Sequence, residues 1–328
     1  MTPLFGHDAA VAAFRAALDS GRLHHAWLIA GPEGVGKATF ADKAALRVLA
    51  QGMGPVDASG LDVPDDHPVV SLADAGSHPD LMRLERVAKG EGTEIARSIV
   101  VDQVRSLNRL FSTTASLSPW RAVVIDSADD LESPGAPNAL LKMLEEPPPH
   151  TVFLLVSHQP DRLLPTIRSR CRILRLGPLG DDAMASALRA ALPDADEDEI
   201  AALVAAGDGA PGRAIAWRGL DLAGLDREMA ALADEGDPTG GRRSALAHAL
   251  ALKSAQPRYE AFLVRAPAKI AAAARTRRGP ALAQALMLWE RATDLASFAK
   301  RNSLDPQGVA FELGGLLAAL ADPGRRAA

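Results

Sequence analysis

Apolar residues recur at helical spacing over residues 8–18, where Ala, Val, Phe and Leu fall on one face. Residues 26–30 (Ala-Trp-Leu-Ile-Ala) are an unbroken apolar run that ends in a Gly-rich turn at 31–36. A helical pattern returns at 38–49. Residues 52–78, rich in Gly, Pro, Asp and Ser, predict a surface excursion. A short strand is predicted at 81–84 and a helix at 101–111. Residues 122–126 read as a buried strand ending in a carboxylate, and 138–146 as a helix stopped by Pro147, Pro148 and Pro149. Further strands are predicted at 152–157 and 172–176. Strands alternating with helices predict a parallel α/β sheet. Past about residue 177 no β-branched run remains, and Ala/Leu-rich helices continue with a clear break at 234–241. The pattern predicts an α/β domain over 1–177, a small helical domain over 178–233 and a C-terminal helical domain over 240–328. No internal repeat is visible. The apolar residues Leu286, Trp289, Phe298, Phe311 and Leu316 read mostly as core of the last domain, with a subunit interface as the alternative.

Composition narrows the classes. The 328 residues are 48% hydrophobic but only 4% aromatic, so the core rests on Ala and Leu, the best helix formers. Net charge is -5, with 36 basic against 41 acidic residues. A chain that holds DNA by itself usually shows a basic excess, so DNA contact is expected to be local or shared with partners. One cysteine, Cys171, excludes a disulfide framework and a multi-cysteine zinc site, and fits a reducing cytoplasm. Residues 1–7 lack a basic segment followed by an apolar core, and no apolar run is long enough to span a bilayer. A soluble, cytoplasmic protein is expected.

Gly31-Pro32-Glu33-Gly34-Val35-Gly36-Lys37 fits the phosphate-loop pattern G-x-x-x-x-G-K between a strand and a helix. Its glycines let backbone N–H groups face phosphate oxygens, and Lys37 would reach the β- and γ-phosphates. The next residue should carry a hydroxyl for Mg²⁺. Here it is Ala38, and Thr39 lies about 100° further round the helix. Gly31, Gly34, Gly36, Lys37 and Thr39 are therefore the candidate phosphate site, in vestigial form. Asp126 is placed like the carboxylate of a Walker B strand, on the metal side. The water-activating glutamate that normally follows is replaced by Ser127, which cannot act as a base unaided. Ser169-Arg170-Cys171 reads either as a basic turn or as an arginine offered to a neighbouring subunit's nucleotide.

These residues resemble the bacterial clamp-loader subunits of the AAA+ class. Ser169-Arg170-Cys171 is similar to their SRC motif, and residues 138–148 (Asn-Ala-Leu-Leu-Lys-Met-Leu-Glu-Glu-Pro-Pro) to their NALLK-x-LEEPP helix. Ser77-His78-Pro79-Asp80 and residues 101–105 resemble two further family segments. The resemblance runs from about residue 4 to 177. It implies a P-loop AAA+ (RecA-like) domain, a helical lid and an all-α collar that oligomerises. With Ala38 and Ser127 eroded and Arg170 kept, the likeness is to the delta-prime branch rather than the gamma/tau motor branch. It implies a stator in a hetero-pentamer with delta and gamma/tau subunits, which loads the sliding clamp on primed DNA at the replisome. Arg170, with Ser169 and Cys171, would act in trans on a neighbour's ATP. Ser157, followed by His158, falls at the sensor-1 position, and Gly212 takes the place of a lid arginine, with Arg213 displaced by one. In this chain ATP binding would be weak or absent, Mg²⁺ would come only with nucleotide, and no intrinsic ATPase is expected. Many family members carry four zinc-binding cysteines where residues 52–78 have none; His67 and His78 remain there, and no zinc is expected. The rival readings are an active gamma/tau-like ATPase, which needs the hydroxyl and base missing at Ala38 and Ser127, and a P-loop kinase or DNA-binding regulator, which fits poorly with the helical tail and net charge.

Overall fold

A computed structural model of the chain describes residues 2–88, 95–112, 114–302 and 304–321. It forms two compact units, Met1–Ile215 and Ala216–Ala328.

The first unit opens with α1 (Asp8–Asp19), β1 (Ala26–Ala30) and α2 (Lys37–Met53). Then come α3 (Pro68–Asp74), β2 (Leu81–Glu85), α4 (Val101–Ser112), β3 (Arg121–Asp126) and α5 (Gly135–Glu145). β4 (Thr151–Ser157), the one-turn α6 (Pro165–Arg168) and β5 (Arg172–Arg175) complete the sheet. Its order is β2-β3-β4-β1-β5, parallel throughout. Alternation along the strands feeds two cores. Trp27, Ile29, Val124 and Val156 pack with Phe14 of α1 and Phe40 of α2 on one face. Leu28, Val123, Ile125 and Leu155 pack with Leu107 of α4 and Leu140 of α5 on the other. Central β1 and β4 are buried at every position, as strands covered on both faces must be. This is the parallel α/β sheet expected from the sequence. Register aligns Ala30 with Ser157 and Ile125 with Leu155, so Gly31, Asp126 and Ser157 emerge at one edge, the carboxyl ends of the strands.

The 52–78 stretch departs from a plain excursion. It contains α3, whose first turn is capped by the His67 side chain accepting from the Val69 N–H, and it buries Leu61, Val69 and Val70. Buried Arg47 of α2 organises it, donating to the carbonyls of Val56, Ala58 and Asp62 at 3.2, 3.0 and 2.7 Å. A loop that satisfies a buried guanidinium with its own carbonyls is packed structure. The unit ends with α7 (Asp181–Ala191), α8 (Glu197–Gly207) and α9 (Pro211–Ala216), joined around Met184, Leu188, Ile200, Leu203 and Ala214.

The second unit holds α10 (Leu222–Glu235), α11 (Gly241–Leu250), α12 (Gln256–Arg275), α13 (Gly279–Asn302) and α14 (Pro306–Ala318). The predicted division at 234–241 is displaced. Leu225, Met229 and Leu232 of α10 share one core with Leu246, Phe262 and Leu313, so α10 belongs with the helices after it and the units part at Ala216. The supposed linker is a capped turn, in which the Asp237 carboxylate accepts from the N–H groups of Arg242 and Arg243. The end of the predicted 240–328 domain, 322–328, lies outside the described residues. The apolar stripe is also corrected: Leu316 is core, but Leu286, Trp289, Phe298 and Phe311 are exposed. α13 instead buries Leu288 and four alanines, Ala285, Ala292, Ala296 and Ala299, whose small side chains bring helices close. Among the described residues no helix is long and apolar enough to cross a membrane.

Candidate functional site

The turn after β1 takes the shape that its glycines permit. Gly34 and Gly36 have φ of 84° and 102°, conformations that side chains oppose. At Gly31 a Cβ would meet the Leu176 carbonyl oxygen at 2.0 Å. Lys37, 3% exposed, donates from Nζ to the Pro32 carbonyl at 2.5 Å within its own loop. Burial pulls its ammonium down to about 8, against the opposing pull of Glu33, Asp129 and Asp126. The loop is braced from both sides. The His7 Nε2–H donates to the Val35 carbonyl at 2.8 Å, and the Gly212 N–H donates to the Gly34 carbonyl at 2.9 Å. Gly212 thus meets the loop through its backbone, and Arg213 reaches the Glu33 carbonyl with Nη2 at 3.5 Å.

A cavity of about 760 Å³ opens over this loop, lined by residues 2–5 and 33–39, Asp126, His158 and the start of α9. That volume is in the range of small-molecule sites. Gly34, Gly36, Lys37, Thr39 and Asp126, singled out from sequence, therefore face one space, while Gly31 is not part of its lining. The sensor-1 residue does something more local. The Ser157 hydroxyl donates to Asp129 Oδ1 at 2.8 Å, and the His158 N–H donates to Asp129 Oδ2 at 2.5 Å. Asp129 is thereby turned to the end of β4. Ser127 is buried and donates to Asp130 Oδ2 at 3.1 Å. Burial, with the Lys37 charge beside it, holds the His158 imidazole below its usual range and neutral at pH 7.

Sequence reasoning missed the partner of Asp126. Arg83, on neighbouring β2, donates from Nη2 to Asp126 Oδ2 at 2.7 Å and from Nε to Glu85 at 2.9 Å, and also pairs with Asp42. Register could have revealed it, since β2 pairs with β3 so that Glu85 lies beside Asp126 and Arg83 beside Val124. The loop's chemistry implies Mg²⁺, but the residues do not fit it: Ala38 has no hydroxyl, and the carboxylate that should face the metal is already held by a guanidinium.

Ser169, Arg170 and Cys171 lie elsewhere. β1 and β5 run parallel, with Trp27 beside Arg172 and Ala30 beside Arg175. Arg170 therefore precedes the amino end of β5, whereas the phosphate loop follows the carboxyl end of β1, roughly 10 Å or more away along the strands. The Arg170 side chain, 35% exposed, donates to the Thr166 carbonyl at 3.0 Å and pairs with Glu145 at 2.7 Å. Glu145 is the first glutamate of the LEEPP segment. The exposed Ser169 closes the turn by donating to the Thr166 carbonyl at 3.0 Å. Burial pushes the Cys171 thiol up to about 12, so it is packing rather than a nucleophile.

A sequence profile described as "DNA polymerase III, delta subunit" matches residues 6–180, more than half of the chain. The chain belongs to the DNA polymerase III delta subunit family. In it, the delta' subunit of Pseudomonas aeruginosa is 40% identical over 188 residues, covering 57% of this chain and 53% of that one. A gamma/tau subunit of Mycobacterium bovis is 35% identical over 170 residues, 50% of this chain and 26% of that one. The chain spans about half the length of the delta' relative it matches. A gamma subunit-related protein from Thermotoga maritima aligns over 94% of this chain and 99% of its own at 14% identity, with a TM-score of 0.43, too loose a likeness to carry an argument. The 77–80 segment is held by hydrogen bonds of its own. Asp80 N–H donates to His78 Nδ1, and the Asp80 carboxylate collects the N–H groups of Ser116, Leu117 and Ser118 at 2.9, 2.9 and 3.2 Å. His67 and His78 each use Nδ1 to accept a backbone N–H two residues on.

Proposed function

We propose that the chain is the delta-prime, stator-like subunit of a bacterial DNA polymerase III clamp loader. It supplies Arg170 in trans to the ATP of a neighbouring gamma/tau subunit, in an assembly with delta that places the sliding clamp on primed DNA in the cytoplasm. The observation that carries this reading is the separation of its two motifs. Arg170 sits at the opposite end of the sheet from its own phosphate loop, on the surface, where a guanidinium serves a neighbour's phosphates and not its own. The eroded metal position at Ala38 and the hydrogen-bonded Ser127 support a chain without ATPase activity, in which ATP binds weakly or not at all. No zinc is assigned.

A guanidinium supplied in trans is worth about 10³–10⁵ in rate at the site it completes. Reconstituted with gamma/tau, delta, clamp and primed DNA, the Arg170→Ala chain is expected to assemble normally, by size-exclusion chromatography, and to lower clamp- and DNA-stimulated ATP turnover severalfold. Arg170→Lys should restore little, because lysine lacks the fork. An unchanged rate overturns the assignment. The similarity to a gamma/tau subunit favours one other reading, an active motor; steady ATP turnover by the chain alone, abolished by Lys37→Ala, would establish it.

A further inference from the structure

We propose that Arg83 is the resident cation of the phosphate-loop site: it holds Asp126 and Asp42 where metal-dependent P-loop proteins use a divalent metal, and it closes the site to Mg²⁺. This role of Arg83 follows from the geometry around Asp126 and holds whether or not Arg170 acts in trans.

Three carboxylates meet one guanidinium. Asp126 ends β3 and lines the cavity over the loop. Glu85 is its register partner on β2, so two like charges sit side by side on adjacent strands, an arrangement that repels without a cation between them. Asp42 lies four residues after Ala38 on α2, one turn below the missing hydroxyl and on the same helix face. Arg83 engages all three with Nη2, Nε and Nη1 respectively. Its fork suits this, because several donors in fixed directions serve several carboxylates at once. Burial pushes the Asp42 carboxyl up, and the Arg83 charge beside it pulls the other way.

Mg²⁺ demands near-octahedral oxygen ligands at about 2.0–2.1 Å. Here the hydroxyl is absent, and one oxygen of Asp126, Oδ2, already accepts a guanidinium N–H. A metal exchanges with solvent, whereas Arg83 is tethered to the sheet by β2. The two features act together: Ala38 offers a metal no hydroxyl, and Arg83 gives the carboxylates a fixed counter-charge in its place.

The test is titration of the full-length chain with Mn²⁺ alone, followed by the loss of the free-ion electron paramagnetic resonance signal. The wild-type chain is expected to show no Mn²⁺ site that depends on Asp126. Arg83→Met should bind Mn²⁺ at least about tenfold more tightly, and adding Asp126→Asn should remove that gain. Arg83→Lys keeps the charge and should gain no site. Circular dichroism melts establish that each variant is folded. If Arg83→Met does not fold, the wild-type titration still decides: Mn²⁺ binding by the wild-type chain that Asp126→Asn abolishes overturns the proposal. So does a folded Arg83→Met that binds Mn²⁺ no better than wild type. Neither result bears on Arg170, whose test is turnover by the assembled loader.

Discussion

Lys37 should make the free chain less stable than a neutral residue would. Its ammonium is buried, and burial lowers it from 10.5 to about 8. At neutral pH the folded chain carries that charge at a cost of about 3 kcal/mol by the conversion of one pKa unit to about 1.4 kcal/mol. Water that reaches the loop screens part of this, leaving about 2 kcal/mol. Lys37→Met removes the charge and keeps most of the volume, but strips the Pro32 carbonyl of its donor, which costs about 1 kcal/mol. The variant is therefore expected to be about 1 kcal/mol more stable at pH 7. Between pH 8 and 10.5 the unfolded wild-type chain binds the lysine proton and the folded chain does not. Wild-type stability therefore rises with pH there, while the methionine variant has nothing to titrate at this position. Raising the pH from 7 to 9.5 should move the difference by about 1–2 kcal/mol in favour of wild type. Urea unfolding of both proteins at the two pH values, followed by tryptophan fluorescence, measures this difference, and titrations common to both cancel. A difference that does not move with pH refutes the buried-charge account. So does a variant clearly less stable than wild type at pH 7.

Two further outcomes follow from the same region. Gly34→Ala places a Cβ 2.6 Å from the Arg213 backbone nitrogen at a φ of 84°; strain of this kind costs about 1–3 kcal/mol before α9 is displaced. Urea unfolding should show at least that loss, and a smaller one would mean that the loop and α9 yield easily. Asp80→Asn should cost about 2 kcal/mol at pH 7, because a charged acceptor of three backbone N–H groups becomes a neutral one. Burial pushes the Asp80 carboxyl up, but those three donors outweigh it and hold it below its usual value. Its stabilisation is thus present above the unfolded pKa near 3.9 and lost as pH falls through the lower folded value. The gap between Asn variant and wild type should close in acid, and a gap constant from pH 7 to 3 would refute the assignment.

The sheet and the loop were legible because their signals are local. Each strand is a short apolar run beside a turn, and the glycines of 31–36 mark their own backbone. What stayed hidden depends on partners distant in sequence. α3 is seven residues long and starts with proline inside a Gly/Pro-rich stretch, and its anchor, Arg47, reads as an ordinary surface charge of α2. The periodicity of α10 shows that it has an apolar face but not which core that face joins. The exposure of Trp289 and Phe298 could not be told from burial, because α13 spends its buried face mostly on alanines. Arg83 needed the pairing of β2 with β3, which no spacing in the chain encodes.

The bond from the Gly212 N–H to the Gly34 carbonyl has a mechanical consequence. A side chain reaching across a gap has rotamers and can follow a ligand over several ångströms. A peptide bonded directly to a peptide has none. The joint between α9 and the loop thus acts as a latch with two settings, made or broken. Any ligand that spreads the loop's glycines apart must first trip it.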